Sequence, residues 1–189
     1  MHLALPRPGP LGGLDFSGVA GDYRDMNLHD ELLANNARYA ADFSAGALRV
    51  RPLRQIAILT CMDSRFTAQG VLGMQLGDAH VIRNAGGRAS EDAVRSLVLS
   101  STALGTRWCV VIHHTDCGLL GVTNEDLQAR VETVTGVRPN IDFLPISDVV
   151  SSVSEDVALL RACPYLPPDY QVLGFTYDVT TGRLHSVEG

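Results

Sequence analysis

Apolar residues recur along this chain in two alternating patterns. Leu28, Leu32, Leu33, Tyr39 and Phe43 fall at helical spacing and predict an amphipathic helix stopped by Gly46. From Gln55 onward, short continuous apolar runs alternate with helical ones. Residues 55–60, 79–83, 107–113 and 171–177 read as strands, and their near-unbroken apolar character suits a sheet covered on both faces. Residues 67–74, 123–134 and 147–162 read as helices, as does the segment after Ser90. Ser90 is a good N-cap, with Glu91 and Asp92 at the positive end of the helix dipole. Behind it Val94, Leu97, Val98, Ser101 and Leu104 form one face, closed by Gly105. In the last helix Val150, Val153, Val157 and Leu160 are expected to face inward. Residues 183–187 follow a Thr-Thr-Gly turn and read as an antiparallel edge.

This alternation predicts an α/β fold: a mainly parallel four-stranded sheet flanked by helices, with a short antiparallel C-terminal edge strand. Residues 1–26, rich in Gly and Pro, predict an extended arm with little regular structure of its own. Residues 27–189 are expected to form a single domain, and 189 residues suffice to bury one core.

The formal net charge of −6 argues against a nucleic-acid surface, which would be basic. No apolar run approaches the length of a membrane span. Pro6, Pro8 and Pro10 interrupt the place where a signal peptide needs an apolar stretch, so a cytoplasmic location is expected. Four cysteines are few for a disulfide scaffold, which favours metal or catalytic use for some of them. Cys109 and Cys163 read as small buried hydrophobes.

Cys61, in Thr60-Cys61-Met62-Asp63-Ser64-Arg65, follows the first strand; His114 ends the third, and Cys117 lies in the turn after it. Ligands collect outside the carboxyl ends of strands in open parallel sheets, so both runs fall on one sheet edge. Cys and His are preferred zinc ligands, and a site with an open position is catalytic. Asp63 can take the fourth position or orient a water there, and Arg65 can hold Asp63 off the metal through a forked contact. Zinc with two thiolates and a neutral imidazole is formally neutral. Its water is therefore less acidic than at a three-histidine zinc, where the pKa is about 7. Arg83-Asn84-Ala85-Gly86-Gly87 follows the second strand, and Gly86 and Gly87 could let the backbone approach a substrate closely. His113 should alternate to the other side of its strand and support rather than bind.

Cys61-Met62-Asp63-Ser64-Arg65, Arg83-Asn84-Ala85-Gly86-Gly87 and His114-Thr115-Asp116-Cys117-Gly118 together resemble the β-class carbonic anhydrases, in order and in spacing. The resemblance runs from about Leu28 to the C-terminus. It implies a zinc enzyme that interconverts carbon dioxide and bicarbonate through zinc-activated hydroxide. Cys61, His114 and Cys117 would then be the zinc ligands, and Asp63 with Arg65 the pair controlling the fourth position. It also implies a homodimer or an assembly of dimers, with N-terminal helices embracing the partner subunit. His113 and Leu119 stand where many members carry glycine, and the short chain is similar to the branch that includes carbonyl sulfide hydrolases. Hydrolysis of carbonyl sulfide or carbon disulfide is therefore an alternative, since an apolar pocket separates such small linear molecules weakly. Phe66, Leu119, Leu120 and Val122 are candidates for its lining. A third reading is a non-catalytic zinc protein in which Asp63 permanently closes the site.

Overall fold

The structure, a computed structural model, describes residues 27–188, so the expected arm over 1–26 lies outside them. Two units are present, one ending at Ala47 and the other Leu48–Gly189. In the first, helix α1 spans Leu28–Ala41. The Asn27 side chain accepts from the His29 N–H at its start, and Asp30 and Glu31 occupy its first turn. The helix stops short of Gly46. Asp42, whose charge opposes the negative end of the helix dipole, already leaves the helical region at φ −106° and ψ 9°. None of the α1 residues is buried, and Leu28, Leu32, Leu33 and Tyr39 are exposed.

The second unit is built on strands β1 (Ile56–Cys61), β2 (Ala79–Asn84), β3 (Trp108–His114), β4 (Gln171–Asp178) and β5 (Arg183–Val187). They form one sheet in the order β2-β1-β3-β4-β5. The first four run parallel and β5 pairs antiparallel with β4, which is the expected architecture. Helices α2 (Ala68–Leu72), α3 (Glu91–Thr102), α4 (Asn124–Thr135) and α5 (Val149–Arg161) connect them. Ser90 caps α3 as expected, by accepting from the Ala93 N–H. Thr123 and Asp126 close a reciprocal capping box on α4, and Gly136 ends it in the left-handed region.

The sheet is covered on both faces. On one, Ala57, Leu59, Cys109, Val111 and Val172 pack against Ala93 and Leu97 of α3 and Val153, Val157 and Leu160 of α5. Complete burial pushes the Cys109 thiol up to about 12, as befits a packing residue. On the other, Ile58, Val110 and Ile112 pack with Phe66, Ala68, Met74 and Tyr177. Val150 corrects one expectation, because it is exposed. The buried stripe of α5 is Ser152, Val153, Asp156, Val157 and Leu160, so the helix turns Val150 to solvent and brings two polar residues inside.

β1 neighbours β2 on one side and β3 on the other, so the chain winds outward in both directions from this pair. Open parallel sheets form their crevice at such a switch point, beyond the carboxyl ends of the two strands. Cys61 is the last residue of β1 and His114 the last of β3. Among the described residues, no helix is long and apolar enough to cross a membrane.

Candidate metal centre

The ligand atoms of Cys61, His114 and Cys117 lie within 4.8 Å of one another, and all three residues are buried. The strands deliver the first two, and a turn delivers the third. After β3 the chain turns back through Asp116, in the left-handed region at φ 56°. This brings Cys117 into the crevice. Leu119 and Ile146 hold that turn, with the Ile146 N–H donating to the Leu119 carbonyl at 2.9 Å. Both side chains pack with the two cysteines.

His114 is oriented by its own backbone. Its Nδ1 lies 2.8 Å from the Thr115 carbonyl, which can only accept, so Nδ1 carries the proton. Nε2 is left buried, facing the sulfurs and, among the described residues, without a hydrogen-bond partner. A buried lone pair of this kind is costly unless something positively charged meets it. Phe66 fixes the ring from the side, 5.5 Å between centroids in an edge-on contact. The neighbouring Cys117 sulfur holds the Cys61 thiol well below its ordinary range, at about 4, while Cys61 in turn holds Cys117 well above its own. Burial pulls His114 down, but the Cys61 sulfur and the Thr115 carbonyl outweigh it and leave His114 raised. An anionic sulfur, a second thiol and an aimed imidazole nitrogen form a donor set suited to a soft divalent cation.

Asp63 lies at the mouth of this cluster, its Oδ2 3.8 Å from His114 Nε2. Arg65 grips it by Nε to both carboxylate oxygens (3.0 and 3.1 Å), by Nη2 to Oδ2 (2.7 Å) and by its own N–H to Oδ1 (2.9 Å). The guanidinium holds the Asp63 carboxyl down at about 2. Gly86 and Gly87 lie in a short 3-10 turn, Ala85–Gly87, after β2, both buried and both at positive φ. Gly87 packs on the end of β1, where a Cβ would come within 2.8 Å of the Cys61 nitrogen. At Gly86 it would meet Leu119 Cδ1 at 3.0 Å and Ile146 Cδ1 at 3.3 Å.

The carbonic anhydrase family model matches residues 56–144, which span the cluster. Beta-carbonic anhydrase 1 of Mycobacterium tuberculosis is 40% identical over 86% of this chain and 99% of its own length. The chain belongs to the β-carbonic anhydrase family. A carbonic anhydrase crystal structure from Streptococcus mutans superposes with a TM-score of 0.82 and 43% identity, over 86% of this chain and 99% of that one. A carbon disulfide hydrolase from Acidianus sp. is also similar, 33% identical over 69% of this chain and 76% of that one.

Several contacts around this β-carbonic anhydrase cluster carry no signal in the sequence, although their residues stand in or beside its motifs. Arg83 Nε donates to the Cys61 carbonyl at 2.8 Å and its Nη2 to the Asp63 carbonyl, pinning the loop after β1. Its guanidinium also lies over the Phe66 ring. Arg65 Nη1 reaches Asp116 at 2.6 Å on the other loop. His113, expected to support rather than bind, is buried on the opposite side of β3, with Nδ1 2.7 Å from Ser152 Oγ. Its Nε2 faces the Gly87 carbonyl and Asp156, both at 3.2 Å. It thereby links α5 to the glycine turn.

Proposed function

We propose that this protein catalyses the reversible hydration of carbon dioxide to bicarbonate at a zinc ion held by Cys61, His114 and Cys117. The observation that carries the reading is the partnerless, buried Nε2 of His114 aimed at two sulfurs, beside a carboxylate clamped by arginine. Zinc bound there would supply the Lewis acidity that makes a water molecule nucleophilic near neutral pH. The chain's own residues do the rest. Two thiolates and a neutral imidazole balance the charge of the ion. Arg65 occupies both oxygens of Asp63, so the carboxylate is held back as an acceptor that orients the attacking water. The Gly86–Gly87 turn, against which Leu119 and Ile146 pack, is the proposed contact for a small linear substrate. Water and carbon dioxide then give bicarbonate and one proton.

The similarity to a carbon disulfide hydrolase supports a second reading, hydrolysis of carbonyl sulfide or carbon disulfide at the same residues. Parallel assays of the zinc-loaded protein on all three substrates separate the readings. Hydration of carbon dioxide far outpacing release of hydrogen sulfide is the expected result; the reverse order overturns it. Full zinc content with no turnover of any substrate would make the metal structural. The exposed apolar face of α1 supports the further reading that the protein works as a homodimer or an assembly of dimers.

A further inference from the structure

Arg65 has more partners than holding Asp63 requires. Its Nε and Nη2 face Asp63. Nη1 donates to Asp116 Oδ2 at 2.6 Å, and Nη2 also donates to the Asp116 carbonyl at 2.8 Å. The guanidinium therefore bridges the loops after β1 and β3. Asp116 grips it twice, once through the side chain and once through the backbone. The left-handed backbone at Asp116, φ 56°, lets one residue present both acceptors to the same fork. The Asp116 side chain is 80% exposed and that of Asp63 only 16%. Burial therefore does not hold Asp116 in place, and among the described residues its side chain is paired with Arg65 alone.

We propose that Asp116 is a positioning residue for the Asp63–Arg65 pair. It anchors the guanidinium to the loop that carries Cys117, so that Arg65 stands as a fixed counter-ion drawing Asp63 away from the Cys61–His114–Cys117 cluster. The inference rests on reading that cluster as a metal centre whose open position Asp63 can contest. Without the anchor, Arg65 follows Asp63 rather than restraining it, and Asp63 competes more strongly for that position.

Asp116→Asn tests this cleanly. Asparagine tolerates the left-handed backbone and keeps the carbonyl contact, so only the charged contact is lost. Two readouts are needed: the order parameter of the Arg65 Nε–H in the metal-free protein, and thiocyanate affinity of the cobalt-substituted protein read from its visible spectrum. The expected result is a looser Arg65 and thiocyanate binding weakened about fivefold, the scale of one partly exposed ion pair. An Arg65 as ordered as in the parent overturns the proposal. So does a looser Arg65 with unchanged thiocyanate affinity, which would make Asp116 a mere tether. Failure of the unsubstituted protein to take up cobalt sinks the metal-centre reading itself, and is seen before any variant is compared.

Discussion

At the scale of single residues, the centre depends on which atoms are left without partners and which are over-supplied. Among the described residues, His114 Nε2 has none and Arg65 has two carboxylates. Arg65 holds Asp63 at about 2, below its ordinary 3.8. A carboxyl lowered on folding stabilises the fold above its ordinary value, and that contribution is lost as pH falls through about 2. In Arg65→Gln, Asp63 of the metal-free protein should titrate nearer 3.8 and acid unfolding should begin at higher pH. Carboxyl-carbon NMR across that range checks this, and an unchanged Asp63 midpoint would contradict it. Cys61, His114 and Cys117 were legible as candidates because Cys and His are metal-ligand types and two separate runs place them at or just after the ends of strands on one sheet edge. Asp116 was not. An aspartate in a turn is ordinary, and only the fold shows that it faces an arginine 51 positions away.

At the scale of elements, the pattern of apolar runs predicted all four parallel strands and the antiparallel edge, because buried strands leave continuous hydrophobic segments. Ends were less legible. α1 stops at Ala41, and α5 buries Val153, Val157 and Leu160 as expected but turns Val150 outward and Ser152 and Asp156 inward, since caps and the edges of a buried face depend on contacts that the pattern does not contain. The glycine turn shows the same limit. Glycine at 87 admits a packing reason, its approach to the Cys61 backbone, as readily as a ligand-binding one. Gly87→Ala should therefore cost about 3 kcal/mol or more, from a strained φ together with a clash against immovable backbone. Gly73→Ala shares the positive φ but meets nothing within 4 Å, and should cost about 1 kcal/mol. Denaturant unfolding of the two variants measures the difference; equal costs would remove the close packing from the account.

At the scale of the whole molecule, the switch point between β1 and β3 explains why two distant segments meet. The fold brings the carboxyl ends of these two strands side by side, and the ligand-type residues occupy those ends. An exposed helix bearing Leu28, Leu32, Leu33 and Tyr39 on its surface is expected to be covered by a second copy. Sedimentation should accordingly report at least a dimer, and a monomer at micromolar concentration would contradict that. One zinc ion on Cys61, His114 and Cys117 is proposed to make this chain a carbon dioxide hydratase. Stopped-flow hydration of carbon dioxide, followed as zinc is titrated into the metal-stripped protein, tests it most directly. Hydration should be negligible without zinc and rise linearly to saturation at one zinc per chain. Hydration that is indifferent to stripping, or absent at full loading, would contradict it.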